Sequence, residues 1–385
     1  MNAAIIFFLL LVLMLTGMPI SISLGLTVLT FLFGFTQVPL ESVALKLFTG
    51  IEKFEIMAIP FFILAGNFLT HGGVARRMIN FAASMVGHWY GGLGLGGVLA
   101  CALFAAVSGS SPATVVAIGS ILLPAMVKAG FPKSFGAGVI TTSGALGILI
   151  PPSIVMVMYS VATNTSVGAL FMAGVVPGLA LAGVLAGVTW YRAKKYDYPR
   201  LPKATWVQRL KAFKESAWGL LLIVIVMGGI YTGLFTPTEA AAMSAVYAFF
   251  VAVFVYKDMG LKDVPRVLLN SANMSAMLLY IITNAVLFSF IMTNENIPQS
   301  LADWMLGNGL GPIAFLLAVN VILLLAGNFM EPSSIVLIFA PILFPVAMKL
   351  GIDPVHFGII MVVNMEVGMC HPPVGLNLYV ASGIT

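Results

Sequence analysis

The chain alternates between apolar stretches of roughly 20 residues and short breaks rich in polar residues, glycine or proline, which is the pattern of membrane-spanning helices. At about 30 residues per span and connection, the length leaves room for roughly ten to twelve membrane segments. The short alternating segments of a membrane β-barrel do not occur. Backbone groups in lipid must be satisfied within their own segment, so the pattern predicts an all-α integral membrane protein.

One hydrophilic interruption stands out, at 192–217, with Pro199 and Pro202 inside it. It divides the chain into halves, 1–191 and 218–385; a shorter polar break, 256–266, lies within the second. The halves carry the same punctuation at an offset of about 220 residues. The first has Ser108-Gly109-Ser110-Ser111-Pro112-Ala113-Thr114, then Pro124, Lys128, Gly130 and Pro132, and finally Pro151-Pro152-Ser153. The second has Asn328-Phe329-Met330-Glu331-Pro332-Ser333-Ser334, then Pro345, Lys349, Gly351 and Pro354, and finally Pro372-Pro373-Val374. Internal repeats with broken helices at corresponding places mark secondary transporters.

Each half therefore predicts two special elements. As one straight helix, 94–127 would be about 50 Å long, too long for a 30 Å core. The Ser/Gly/Pro break divides it into arms of about 20 Å, too short to cross. A re-entrant helical hairpin follows, with its tip near the midplane; 312–349 reads the same way, broken at 328–334. The Pro-Pro pairs, with Gly144 and Gly147 or Gly368 before them, predict broken helices at about 135–165 and 355–385, because each proline removes an N–H donor and crowds the carbonyl four residues back. Freed carbonyls and helix C-terminal ends favour cations, and half-helix N-termini favour anions. The competing reading is a set of packed kinks, since Pro and Gly are common in membrane helices.

Several polar groups stand in apolar surroundings at these breaks. Ser108, Ser110, Ser111 and Thr114 offer hydroxyls at the first tip, though hydroxyls also bond helix carbonyls harmlessly. Asn328, Glu331, Ser333 and Ser334 occupy the second tip. Glu331 and Glu366 are intramembrane carboxylates, functional candidates by default; Glu331 is equally well placed to cap the helix after it. Asn364 and Asn377 flank the second break and can orient its carbonyls. Thr236-Pro237-Thr238-Glu239 reads as a structural capping box. Lys46, Lys53, Arg76 and Arg77 read as interfacial anchors, with an acidic ligand or partner as the alternative for the arginine pair.

Composition narrows the class further. The 385 residues are 60% hydrophobic and only 8% charged, too few charges to cover a water-facing surface. The net charge of +5 is concentrated in the 192–214 stretch, which the positive-inside rule places in the cytoplasm. No Lys or Arg precedes the first apolar stretch, about 4–34, which fits an outside N-terminus and not a cleaved signal. Cys101 and Cys370 read as small buried residues. His371 has no second Cys/His pair to complete a zinc site. Phosphate-loop, GxSxG and HExxH motifs do not occur, so neither an ATPase nor an ordinary hydrolase is indicated.

Taken together, the motifs resemble a known family. Met57-Ala-Ile-Pro60-Phe-Phe-Ile-Leu-Ala-Gly66, the Ser108–Thr114 tip, Ile150-Pro-Pro-Ser153, Phe171-Met-Ala-Gly-Val-Val-Pro-Gly178, Thr236-Pro-Thr-Glu239 and Gly368-Met-Cys-His-Pro-Pro-Val-Gly-Leu-Asn377 are similar to the large membrane subunit of tripartite ATP-independent periplasmic (TRAP) transporters. The resemblance covers essentially the whole chain. The sequence closing at 364–380 is most like the C4-dicarboxylate branch. The resemblance implies a multi-pass protein of the bacterial inner membrane that imports a carboxylate, driven by a sodium gradient. It implies two protein partners, a periplasmic substrate-binding protein and a small four-helix membrane subunit, with no cofactor beyond sodium. It also implies an elevator, in which a scaffold holds a mobile transport domain.

By position, substrate or ions would contact Ser108, Gly109, Ser110, Ser111, Pro112, Thr114, Gly144, Pro151 and Pro152 in the first half. The second half would supply Asn328, Glu331, Pro332, Ser333, Ser334, Asn364, Glu366, Gly368, Pro372 and Pro373. Sodium falls to Ser108, Ser110, Gly144, Asn328, Glu331 and Gly368. The family usually continues for another hydrophobic helix, so the resemblance predicts a further helix after Thr385. A passive channel and an intramembrane hydrolase using Ser108 with His371 are the alternatives.

Overall fold

The computed structural model describes residues 2–36, 38–372 and 374–385; Pro373 of the second Pro-Pro pair therefore lies outside the described residues. Among those described, no strand occurs and eighteen α-helices follow one another. The first half contains α1 (Asn2–Leu15), α2 (Ile20–Phe35), α3 (Leu40–Thr49), α4 (Ala58–His71) and α5 (Val74–Val86). Then come α6 (Gly92–Ser108), α7 (Ser111–Lys128), α8 (Lys133–Gly144), α9 (Ile154–Thr163) and α10 (Val167–Lys195). After the basic stretch come α11 (Trp206–Tyr231), α12 (Pro237–Phe250), α13 (Val264–Asn294) and α14 (Ile297–Gly307). The chain continues with α15 (Pro312–Gly327), α16 (Pro332–Lys349), α17 (Pro354–Gly368) and α18 (Leu376–Gly383). Seven of the described helices are long and apolar enough to cross a membrane, and six apolar ones are shorter.

The 29 residues of α10 extend about 43 Å and define two ends of the molecule. Arg192, Lys194 and Lys195 fill its last turn, which we term the basic end. Gly91, just before α6, packs against Ala193 there, and Gly130, just after α7, packs against Pro199. Both feet of the α6–α7 pair thus stand at the basic end. Gly97 meets Leu122, so the two helices run antiparallel from a tip at Gly109 and Ser110. The α15–α16 pair has its feet at the far end, where Lys349 pairs with Asp303 of α14 at 3.0 Å. The hairpins reach toward each other from opposite ends.

The arms are longer than the sequence suggested. They have 17 and 18 residues in the first pair, or about 26 Å each, against the expected 20 Å. The helical pattern extends to the last residue before the break, because two residues absorb the reversal, Gly109 with a left-handed φ of +60° and Ser110 extended. At 18 residues each, α7 and α16 are among the seven helices long and apolar enough to cross, where the sequence suggested arms too short to do so.

The two broken helices thread between the hairpins. α8 tightens into a 3-10 turn at Ala145–Ile148, unwinds over the Pro-Pro pair and restarts as α9. Ser153 caps the restart by accepting from Met156 N–H at 3.4 Å while donating to the Ile148 carbonyl at 2.6 Å. α17 ends at Gly368 and the chain resumes as α18 at Leu376, without a 3-10 turn among the described residues between them. Each second piece packs across the halves, α9 against α16 and α17, and α18 against α7 and α8. The Tyr159 hydroxyl on α9 donates to the Pro354 carbonyl at 2.8 Å. Around this assembly stand α2, α4, α12 and α13, with α4 packed on both α12 and α13.

The predicted structural motif at α12 is present in full. Glu239 accepts from the Thr236 N–H at 2.8 Å, and the Thr236 hydroxyl accepts from the Glu239 N–H at 3.3 Å. The arginine pair is engaged within the chain, since Arg76 and Arg77 both bond Asp258. Arg77 also lies 3.8 Å from the Tyr256 ring centre, and burial raises the phenol of Tyr256 above its ordinary value. Cys101 is buried and Cys370 half-buried; both are free thiols.

Candidate functional site

The first tip is built from short polar side chains held against the first break. Ser110 is extended and α7 starts at Ser111, with Pro112 in its first turn where no N–H is needed. Ser108 Oγ and Thr114 Oγ1 are 2.9 Å apart, and the Thr114 hydroxyl donates to the Ser110 carbonyl at 2.9 Å. The Ser111 hydroxyl donates to the Gly144 carbonyl at 3.0 Å. A Cβ at Gly109 would sit 2.8 Å from the Pro152 carbonyl oxygen, so only glycine allows this approach. Ser111 thus meets Gly144 and Gly109 meets Pro152, while Ser108 and Thr114 bond within the tip itself. Ser108 has Thr114 as its side-chain partner, and no hydrogen bond joins it to His371.

The second tip repeats the arrangement with carboxylates added. The Asn328 carbonyl accepts from the N–H groups of Val374 (3.3 Å) and Gly375 (3.2 Å), so the tip rests on the second break. Gly327 and Gly368 bring the C-terminal ends of α15 and α17 together, where a Cβ on Gly368 would lie 2.7 Å from the Gly327 Cα. Glu331 occupies the N-cap position before Pro332. Its side chain makes no backbone cap bond and instead accepts from the Ser333 hydroxyl at 2.6 Å. Asn328 Oδ1, Ser334 Oγ and both oxygens of Glu366 are buried without a hydrogen-bond partner. Buried polar atoms rarely go unpaired, and a group left so costs about 1–3 kcal/mol. All four are hard oxygen donors of the kind that suits an alkali cation; Asn328 and Glu366 stand at the C-terminal ends of α15 and α17, and Ser334 in the first turn of α16.

Other residues lie elsewhere than the sequence suggested. Asn364 is not at the break; its amide donates to Asn320 Oδ1 of α15 at 2.7 Å and to the Ile360 carbonyl at 2.8 Å. Asn377 serves the opposite half, donating to Ser111 Oγ at 2.7 Å and to the Thr141 carbonyl at 3.4 Å. Pro372 is exposed.

Both tips line one cavity of about 470 Å³, with Gly109–Ala113 on one side and Glu331–Ser333 on the other. That size suits a small-molecule ligand. Its remaining wall comes largely from α4 and α13, through Asn67, Thr70, His71, Met274 and Met277. The Asn67 amide donates to Ser271 Oγ at 2.8 Å, joining the two helices at tip height. His71 Nδ1 bonds the Asn67 carbonyl at 2.9 Å. These wall residues were not singled out from sequence, although Asn67 is an amide inside an apolar span and carries a signal of the kind that marked Asn364. The described lining holds no lysine or arginine; its titratable groups are His71 and Glu331.

The sequence model for "Tripartite ATP-independent periplasmic transporter, DctM component" matches residues 7–385. The chain belongs to the DctM family. A C4-dicarboxylate TRAP transporter large permease protein of Rhodobacter capsulatus is 77% identical over 399 aligned positions, covering 100% of this chain and 91% of that protein. The corresponding Pseudomonas aeruginosa protein is 57% identical, covering 94% of this chain and 85% of its own length. A sialic acid TRAP transporter large permease protein of Vibrio cholerae is 38% identical, over 97% of this chain and 87% of its own length. Among solved structures, the YdaH transporter of Alcanivorax borkumensis superposes with a TM-score of 0.57 at 13% identity, covering 86% of this chain and 78% of that one, a likeness of fold. As a DctM-family protein the chain is a multi-pass membrane subunit of a transporter, and not an enzyme.

Proposed function

We propose that this DctM-family chain is the large membrane subunit of a sodium-driven importer of C4-dicarboxylates in the bacterial inner membrane. The observation that carries the proposal is the cavity shared by the two tips. Its described lining has no lysine or arginine to neutralise a dianion, yet it lies between the N-terminal ends of α7 and α16, and the second tip and α17 carry the buried, unpaired oxygens just outside that lining. Helix N-termini offer N–H groups to the carboxylates, and sodium bound at the oxygens supplies the missing positive charge. Substrate affinity then depends on the ion, which is the basis of coupling. Sodium would be held by Asn328 Oδ1, Ser334 Oγ and Glu366 at the second tip, with Ser108, Ser110 and Gly144 forming the first site. The identity of the cargo rests on the names of the most similar relatives.

Two repeats of hairpin and broken helix, 1–191 and 218–385 joined by a cytoplasmic linker, account for the opposed hairpins. Each tip meets the middle of a broken helix that runs between the two ends, which supports re-entrant hairpins. In an elevator, α6–α9 and α15–α18 would travel together against α2, α4, α12 and α13. A periplasmic binding protein would deliver substrate and a small four-helix subunit would brace the scaffold.

The test is uptake of labelled succinate by proteoliposomes that contain the chain with both partners, with and without an inward sodium gradient. Sodium-dependent accumulation, lost in Ser334→Ala at low sodium, is expected. Equilibration without accumulation would replace the symporter with a channel. Sodium-driven uptake of a different acid would keep the mechanism and discard the substrate.

A further inference from the structure

At the far end of the transport assembly, one side chain ties α9 to the surrounding helices across a seam. Lys53 stands at the corner between α3 and α4. That corner is fixed to the surrounding helices, since α3 packs on α13 and the Thr238 hydroxyl of α12 donates to the Phe54 carbonyl at 3.3 Å. Across the seam is the last turn of α9. Lys53 Nζ donates to the Val161 carbonyl at 2.5 Å and to Asn164 Oδ1 at 2.7 Å. The carbonyls of a last helical turn have no partner within the helix, and a cation there also meets the negative end of the dipole. Asn164 ends α9 in a left-handed conformation, φ 57°, which sets its side chain beside that turn.

Cavities of about 210 and 490 Å³ flank this contact, and both are lined by Lys53 and Val161. The ammonium thus lies between two hollows and adds a polar tie where α9, itself buried, also packs on the Phe54–Met57 turn and on α4. Toward the basic end, the cavity at the hairpin tips is flanked by exposed Met274 and Met277. The assembly is thus tied to the surrounding helices at its far end by a contact that rotation of one lysine side chain releases.

We propose that Lys53 is the far-end lock of the transport cycle: its bond to the C-terminal turn of α9 holds the periplasmic side shut, and its release frees α9 to move with the hairpins. This rests on the alternating-access reading above. Lys53 is a positioning residue, acting through α9 and not on the cargo.

The experiment is reaction with a membrane-impermeant maleimide, applied separately to the two faces of vesicles containing the transporter with its partners. Ala162→Cys reports the far side and Val116→Cys, in the cavity, reports the basic side; vesicles without an added cysteine set the background from Cys101 and Cys370. In Lys53→Met, reaction at position 162 should rise and reaction at 116 should fall, their ratio changing by about tenfold or more, the population shift expected from losing a hydrogen bond to a charged group. Lys53→Arg should restore both toward the unmodified protein. Asn164→Ala removes one acceptor only and should shift both sites part-way, which serves if Lys53→Met does not fold. A rise at 162 with no change at 116 would reduce Lys53 to a local helix cap and overturn the lock, as would no change at either. If adding sodium and succinate fails to exchange reactivity between the two sites in the unmodified transporter, alternating access itself fails. Exchange there without an effect of Lys53→Met overturns the lock alone.

Discussion

At the scale of single residues, the second tip sets two demands that point in opposite directions. The Gly327–Gly368 approach leaves no room for a methyl group. Gly368→Ala should lower stability by about 1–3 kcal/mol, the usual cost of overpacking, read as a fall in unfolding temperature and in monodisperse yield. Ser334 sits a few residues away with a buried, unpaired hydroxyl. Ser334→Ala removes an unsatisfied group, so stability in a sodium-free potassium buffer should hold or improve by up to about 1 kcal/mol. Half-saturating sodium for uptake should rise about tenfold if one coordinating oxygen is worth a hydrogen bond to a charge. A loss of stability in potassium would show that the hydroxyl serves packing.

At the scale of elements, the contrast between α12 and the hairpins separates scaffold chemistry from site chemistry. Thr236→Ala breaks the capping box and should cost about 1 kcal/mol of stability, while leaving half-saturating sodium unchanged; a shifted sodium dependence would mean the α12 terminus belongs to the site. Much of this level was legible in the sequence. The Thr-Pro-Thr-Glu pattern gave the cap because a capping box is local, with both partners three residues apart. The breaks at Ser108–Thr114, Pro151-Pro152 and 328–334 were legible because glycine and proline act on their own backbone. Partners far apart were not. Asn377 stands in the second break by sequence but completes the first, and Asn364 turns to Asn320, because a side chain's direction depends on how whole helices pack. The polar wall at Asn67 and His71 was obscured for a related reason: one amide in an apolar helix resembles any other until a facing helix arrives.

At the scale of the whole molecule, ion binding and folding should be linked. If the unpaired oxygens take up sodium, the ion stabilises the folded state by mass action, by about 2.7 kcal/mol at a concentration 100 times its Kd. Thermal unfolding in sodium should lie above that in equimolar potassium, and the gap should shrink in Glu366→Gln, which keeps the shape of the side chain and removes its charge. Equal unfolding temperatures in the two salts for the unmodified protein would leave the oxygens unexplained by an ion.

The exchange of α9 and α18 between the halves has a consequence for biosynthesis. Ser111 and Asn377 are 266 positions apart in the chain, and the first tip is not fully bonded until both are present. The nascent first half must therefore wait in the bilayer with an open flank on α7 and α8 while the second half is translated. A chaperone or lipid that shields this flank during the interval would raise the yield of assembled transporter without touching the mature protein.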